Sequence, residues 1–214
     1  MDKNIADLRK DYTLQGLSET EVDPNPFIQF KKWFDQTLST QLLEPNAMTL
    51  ATATPEGKPS ARIVLLKDFD CRGFVFYTNY NSHKGQELAE NPLASLVFWW
   101  GELERQVRIC GRVEKVSEKE SDEYYHSRPF NSRLGAWASN QSEVIESREV
   151  LERQLQELQI KYQHQDVLRP HHWGGFRVIP TEIEFWQGRS SRLHDRLLYT
   201  LLDNGSWNIQ RLSP

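Results

Sequence analysis

Residues 47–78 read AMTLATATPEGKPSARIVLLKDFDCRGFVFYT. Three runs, Ala47–Thr54, Ser60–Lys67 and Phe74–Thr78, are rich in β-branched or aromatic residues and alternate with period two. Between them stand the turn Pro55-Glu-Gly-Lys58 and a second turn around Asp70–Gly73. Gly and Pro supply tight turns and end regular structure, so the stretch predicts successive antiparallel strands.

Outward from this block the period changes. Upstream, Phe27, Phe30, Phe34 and Leu38 recur at helical spacing after Pro24 and Asn25, which predicts a helix from Pro26 to Leu43. Residues 3–15 read as a short amphipathic helix carrying Arg9 and Tyr12, followed by a polar, Pro-containing connection. Downstream, Ser82–Glu90 reads as a short helix ended by Asn91-Pro92, and Leu93–Trp100 and Arg105–Val116 resume the strands. Helices are expected over Ser117–Ser127 and Ser142–Gln163. Strands return at Gly175–Ile179, Glu182–Trp186, Leu193–Leu201 and Trp207–Arg211. The expectation is an α+β chain, mainly antiparallel β, with a barrel that closes its own edges and helices at its periphery. An N-terminal arm over 1–25 is expected to precede one domain over 26–214.

With 214 residues, 38% hydrophobic and 26% charged, the chain can bury a real core. Seven Trp and ten Phe accompany a mean hydropathy of −0.67, which fits a polar surface around aromatic-lined pockets or subunit contacts. A formal charge of −4 gives no global attraction to nucleic acid or anionic lipid, so any anion site must be local. Cys71 and Cys110 stand far apart, which argues against a disulfide framework or a zinc site. No signal peptide is visible in Met1–Tyr12, and the longest apolar run, Leu93–Trp100, is too short to cross a bilayer. A cytoplasmic protein with no metal, nucleic-acid or membrane partner is expected.

Several clusters carry charge where folding alone does not ask for it. If 192–199 is extended, Arg192, His194 and Arg196 share one face, either as a solvated strand face or as a wall toward an anion or polarised ligand. Ser82 is a natural N-cap, yet His83 and Lys84 follow it where the helix dipole favours acids, either as ordinary surface cations at a helix start or as donors to a bound anion that would remove the conflict. Tyr124, Arg128 and Ser132 come four apart with Pro129 breaking the helix, either as a corner with a capping Ser and a solvated Arg or so that Arg128 and Ser132 reach one dianion. Arg62 and Lys67 bracket an apolar strand, Gln106 and Arg108 share a strand face, and Gln141-Ser142 resembles a further N-cap. No Ser-His-Asp order, His-x-x-x-His, Gly-x-Gly-x-x-Gly or Walker loop is present, which leaves hydrolase, metal and dinucleotide-fold readings without support.

Taken in order, Arg62–Lys67, Tyr77-Thr78, Ser82–Lys84, Glu104-Arg-Gln-Val107, His126-Ser-Arg-Pro129, Gly135-Ala-Trp137, Gln141-Ser142, Trp173-Gly-Gly-Phe-Arg177, Glu184-Phe-Trp-Gln-Gly188 and Arg192-Leu-His-Asp-Arg196 resemble the pyridoxamine 5′-phosphate oxidase family. The likeness runs from about Arg9 to Pro214. It implies an FMN-binding split barrel and a homodimer with flavin at the subunit interface, its C-terminal segment 173–214 serving dimerisation and the active site. It implies oxidation of pyridoxamine 5′-phosphate and pyridoxine 5′-phosphate to pyridoxal 5′-phosphate. Hydride would pass from C4′ to the flavin, dioxygen would become hydrogen peroxide, and ammonia would leave from the amine.

Carried over residue by residue, the resemblance gives FMN Arg62, Ile63, Val64, Leu65, Leu66, Lys67, Tyr77, Thr78, His83, Lys84, Gln106, Gln141, Ser142, Trp186 and Arg196. The substrate falls to Arg9, Tyr12, Lys67, Tyr124, Arg128, Ser132, Arg192 and His194, with Arg192 and His194 as the catalytic pair and Arg196 a charge favouring the reduced flavin. Two departures stand out: His83 occupies a position where the bacterial pattern has Arg, making one phosphate contact weaker or pH-dependent, and Arg189-Ser-Ser191 differs from the usual turn before Arg192. Another split-barrel flavoprotein with a different donor would lack the matched Tyr124, Arg128, Ser132, Arg192 and His194 set. A carrier of pyridoxal 5′-phosphate or flavin would bind without producing peroxide.

Overall fold

The computed structural model describes residues 4–8 and 11–214. Two compact units emerge, each assembled from separate stretches of chain. Unit one comprises Met1–Thr49, Ser95–Gly111 and Pro180–Pro214; unit two comprises Leu50–Ala94 and Arg112–Ile179. Nine strands form one sheet: β1 (Ala47–Ala53), β2 (Pro59–Leu65), β3 (Asp68–Asp70), β4 (Gly73–Asn79), β5 (Leu93–Trp100), β6 (Arg105–Lys115), β7 (Trp173–Gln187), β8 (Asp195–Leu201) and β9 (Trp207–Arg211). Their order is β2-β1-β5-β6-β7-β4-β3, with β8 paired to β7 and β9 to β8. The ladders β3–β4, β4–β7, β7–β8 and β8–β9 are antiparallel. Among the described residues five α-helices join them: α1 (Pro26–Leu38), α2 (His83–Glu90), α3 (Glu118–Ser127), α4 (Phe130–Ala138) and α5 (Arg148–Lys161). The expected α+β class with a mainly antiparallel sheet is observed.

The strand block over 47–78 forms as three strands plus a short fourth, but β4 takes β7 as its ladder partner. The two C-terminal strands expected around Pro180 are one strand, β7. Proline has no N–H to give a ladder, which is why the sequence reads as broken there. In the structure β4 pairs with Trp173–Val178 and β8 with Glu182–Gln187, so Pro180 falls between two ladders.

Helix limits follow local hydrogen bonding. Asn25 accepts from the Phe27 N–H at 2.9 Å and Pro26 occupies the first turn, starting α1 as expected. The helix stops at Leu38, short of the expected Leu43, because the Ser39 and Thr40 hydroxyls donate to the carbonyls of Gln36 and Thr37 at 2.6 and 2.7 Å. Among the described residues of the helix expected over 3–15, a 3-10 turn at Ile5–Asp7 is what forms. Beyond it, the N–H groups of Thr13 and Leu14 donate to Glu104 and that of Leu17 to Asp195, so they are not available for helical bonds. α5 begins at Arg148, six residues after the expected start; Ser142 has φ 78, and Glu143 N–H closes a turn onto Asn140. Gln141-Ser142 is therefore not the N-cap of α5. The strand expected from Leu193 begins at Asp195, after a 3-10 turn at Ser190–Arg192 in which Arg192 has φ 61. The alternation that put Arg192, His194 and Arg196 on one strand face does not apply.

Each unit has its own aromatic core. In unit one Phe30 packs on Phe98, and Phe185 lies between Trp33 and Tyr199, with centroids 5.2–5.3 Å apart. In unit two Phe76 meets Phe176 in the β4–β7 ladder, and Tyr125, Leu134, Val167 and Trp173 form a second cluster under α3 and α4. Each side chain of this size contributes roughly 1.5–3 kcal/mol on burial. Among the described residues no helix is long and apolar enough to cross a membrane.

The start of α2 is held tightly. A Cβ added at Gly85 would land on the backbone carbonyl of Tyr80. In an exposed helix Gly→Ala stabilises by about 1 kcal/mol, but here the clash is with backbone. Gly85→Ala should destabilise by about 1–3 kcal/mol, read as a lower urea midpoint at unchanged m; a higher midpoint would contradict the close approach.

Candidate active site

Unit two contains a cavity of about 910 Å³. β2 lends it Arg62, Ile63, Val64 and Leu65, and Lys67 follows just past the strand. Tyr77 and Thr78 come from β4, His83 and Lys84 from the first turn of α2, and Gln141 and Ser142 from the loop before α5. Tyr124 and Arg128 stand at the end of α3 and Ser132 in the first turn of α4. Leu66, buried, is the member of the 62–67 stretch that does not line it. The break at Pro129 yields a separate helix, α4, that the sequence reading did not anticipate. It brings Arg128 and Ser132 to the same cavity.

Ser142 does cap a helix, but a distant one in sequence. Its Oγ accepts the His83 N–H at 3.2 Å, while Ser82 Oγ accepts from Gly85 N–H. The start of α2 is thus satisfied by hydroxyls from two segments.

The cations of this wall differ in how they are compensated. Arg62 faces Glu87, a carboxylate 3% exposed that the sequence reading missed. Glu87 lies 3.2 Å from Arg62 Nη2 and 3.5 Å from His83 Nε2, and accepts from Thr52 and Ser60 hydroxyls at 2.5 and 2.6 Å. Burial pushes its carboxyl up, yet Ser60, Thr52, His83 and Arg62 outweigh that and hold it below the usual carboxylate range. Arg62 also donates to Thr52, Ser60 and the Leu50 carbonyl. No motif announces this network, because Thr52, Ser60 and Glu87 come from three separate elements.

Lys84 and Arg128 have no such partner. Lys84 is 8% exposed, and its Nζ meets only neutral oxygens among the described residues: Thr78 Oγ1 and Gln141 Oε1 at 3.2 Å and Ser82 Oγ at 3.4 Å. Burial, then repulsion from Arg62, lowers its pKa. Arg128 has no ion pair among the described residues, and its buried Nη1 has no hydrogen-bond partner. Its guanidinium lies 4.5 Å over the Trp173 ring and 5.7 Å from that of Tyr125. Burial lowers its pKa too. Lys67 Nζ stands 6.0 Å from the Tyr124 ring. Burial pushes the Tyr77 phenol up to about 12, and its ring stacks on Tyr124 at 3.9 Å.

The remaining predicted residues belong to unit one. Trp186 and Arg196 are cross-strand partners on β7 and β8. The His194 ring lies 4.6 Å from Trp186 and 5.7 Å from Tyr12, and Tyr12 meets Trp186 edge-on at 5.8 Å. Arg189 N–H donates to His194 Nδ1 at 3.1 Å, which leaves the proton of the neutral ring on Nε2. Arg192 is exposed just before β8, and Gln106 is half-buried on β6. Arg196 is no free cation: its Nε donates to Glu184 at 2.7 Å and its Nη1 to the Ser213 carbonyl at 2.9 Å, and Arg108 takes the other Glu184 oxygen at 2.6 Å. Arg9 lies outside the described residues.

Residues 34–162 match the family described as pyridoxamine 5′-phosphate oxidase. The chain belongs to that family. Residues 173–214 match the description pyridoxine 5′-phosphate oxidase C-terminal dimerisation region. The chain is 80% identical to pyridoxine/pyridoxamine 5′-phosphate oxidase of Nostoc punctiforme over 214 residues, all of both chains. It is 62% identical to the protein of the same name from Paraburkholderia phymatum, over 98% of this chain and 99% of that one. The crystal structure of PhzG from Burkholderia lata, in complex with tetrahydrophenazine-1-carboxylic acid, is 32% identical with a TM-score of 0.89, covering 96% of this chain and all of that one. An FMN-binding, pyridoxamine 5′-phosphate oxidase-related protein of Nostoc punctiforme shares the fold at a TM-score of 0.72 and 16% identity, over 91% of this chain and 99% of that one. The split-barrel expectation holds, and family membership makes the protein an oxidoreductase by class.

A buried ammonium without a carboxylate costs stability in the ligand-free protein. The Lys84 pKa is depressed on folding, so this penalty is fully present below the folded pKa and is relieved as pH rises from it toward 10.5. Lys84→Met should stabilise the ligand-free protein by ~1 kcal/mol at pH 7, with the gain shrinking at high pH. Urea melts in phosphate-free buffer test this, and a loss of stability would mean that Lys84 is structurally compensated.

Proposed function

We propose that this protein binds FMN and oxidises pyridoxamine 5′-phosphate and pyridoxine 5′-phosphate to pyridoxal 5′-phosphate. Dioxygen is the acceptor and becomes hydrogen peroxide, and the amine substrate releases ammonia. One observation carries the reading: a single cavity is lined by a buried Lys84 and a half-buried Arg128 that no carboxylate neutralises among the described residues. A flavin phosphate and a vitamer phosphate supply the two anions such a cavity lacks. The chain's own donors suit both ligands, and the high identity to named oxidases over the full length supports the same assignment.

In this reading FMN, which accepts hydride from the substrate when bound, is held by Arg62–Lys67, Tyr77, Thr78, His83, Lys84, Gln141 and Ser142, with Gln106, Trp186 and Arg196 completing the set. Lys84 takes the phosphate charge and the hydroxyl-lined start of α2 its oxygens. Arg196 offers a directed N–H with its charge only partly offset, because it shares the single Glu184 carboxylate with Arg108. The vitamer phosphate falls to Arg128, Ser132, Tyr124 and Lys67. His194, its ring set by Trp186 and Tyr12 and its Nδ1 by Arg189, presents Nε2–H to the substrate. Arg192 stabilises charge developing beside C4′. Arg9 and Tyr12 belong to the arm that covers the substrate; Tyr12 is packed where a Cβ on Gly188 would meet its ring. The match to a dimerisation region supports a homodimer with flavin at the interface.

Reconstitution with FMN, followed by peroxide detection with both phosphorylated vitamers and with unphosphorylated pyridoxine, tests the function. A yellow protein producing peroxide only with the phosphorylated pair is expected. A protein that takes up no FMN, or turns over pyridoxine equally well, would overturn it. Arg192→Ala should lower kcat with pyridoxine 5′-phosphate roughly 100-fold, and normal turnover would remove Arg192 from catalysis.

A further inference from the structure

The two ways of holding an arginine in unit two are chemically opposite. Arg62 is held by a carboxylate, so its charge is spent within the protein. Arg128 is held by π faces. Its guanidinium carbon sits 4.5 Å over Trp173, and Trp173 lies nearly parallel to Tyr77 and Tyr124, at 13° and 6° and centroid distances of 5.6 and 6.1 Å. Tyr77 and Tyr124 in turn stack on each other. An aromatic face fixes the plane of a guanidinium through the ring quadrupole and carries no net charge of its own. The cation is oriented yet keeps its full charge, and its Nη1 is left without a partner.

Trp173 itself is fixed. It opens β7 opposite Asn79, is 7% exposed, and packs in the cluster of Tyr125, Leu134 and Val167. It also lines the cavity. The adjacent Gly174 leaves room for the Tyr80 hydroxyl, which a Cβ would strike.

We infer that Trp173 is a positioning residue for phosphate recognition: it orients Arg128 by a cation–π contact in place of a carboxylate, so that the guanidinium stays free to bind the phosphate of the substrate. This rests on the reading in which Arg128 binds that phosphate. A glutamate in the same place would hold Arg128 equally well and cancel the attraction.

The test uses FMN-loaded protein and two readouts, the kcat and KM for pyridoxine 5′-phosphate and the inhibition constant of inorganic phosphate. Trp173→Met keeps apolar bulk without a π face. It should raise both KM and the phosphate inhibition constant roughly 3- to 30-fold, with kcat within about 2-fold. Trp173→Phe, with a weaker face, should fall between wild type and W173M. On an Arg128→Met background, W173M should add nothing to KM. If R128M itself leaves KM unchanged, the reading of Arg128 fails. If R128M raises KM while W173M does not, or if W173M lowers kcat alone, the inference about Trp173 fails and that reading stands. Should W173M not fold, W173F decides: a KM raised about 2- to 5-fold at unchanged kcat supports the inference, and an unchanged KM overturns it.

Discussion

A positive charge withdrawn from water must be met by a negative one, because the desolvation penalty is several kcal/mol per ion. Most arginines of this protein obey that constraint internally. Arg62 has Glu87, Arg196 and Arg108 share Glu184, and Arg177 has Glu120, whose carboxyl it holds down to about 2. Among the described residues Lys84 and Arg128 do not, and both line one cavity, while Arg105 is met by Gln36, Gln187 and the Trp33 ring and does not line it. Local features of unit two converge on those two side chains. Gly85 permits the close start of α2 on Tyr80, Ser82 and Ser142 satisfy its first N–H groups, and Pro129 splits α3 from α4 beside Arg128.

The paired arginines are not idle for being neutralised. A guanidinium bound to a buried carboxylate has a fixed direction and some N–H groups to spare, which suits a neutral polar ring better than a phosphate. An unpaired cation in low dielectric is instead a strong attractor for a dianion. The distribution of Glu87 and Glu184 therefore separates arginines whose charge is met within the protein from cations that keep theirs. Neither glutamate belongs to the resemblance-derived site set, yet each decides what its arginine offers.

The sequence made the fold legible where one element reports its own identity. The opening strand block, α2 with its Ser82 cap, β5, and α1 with Asn25 and Pro26 all have local signals that agree with their surroundings. It misled where partners are distant. Pro180 looks like a strand break because the switch from β4 to β8 is not visible locally, and residues 3–15 look helical because Glu104, which takes the N–H groups of Thr13 and Leu14, is far along the chain. The cationic segment at 192–196 looked like one face until the positive φ of Arg192 took it out of β8. Ser142 was legible as a cap but not as the cap of α2. The cavity-lining cations were readable from chemistry out of place, a His-Lys pair at a helix start and an Arg before a Pro. Trp173 was present in a motif but had no visible role, since a cation–π contact leaves no charge pattern.

The central claim is that Lys84 and Arg128 serve two different phosphates, and phosphorus NMR of the FMN-loaded protein with pyridoxal 5′-phosphate addresses it most directly. Two bound phosphorus resonances are expected, the flavin one shifted or lost in Lys84→Met and the vitamer one in Arg128→Met, each leaving the other in place. A single resonance responding to both substitutions, or neither responding, would contradict it.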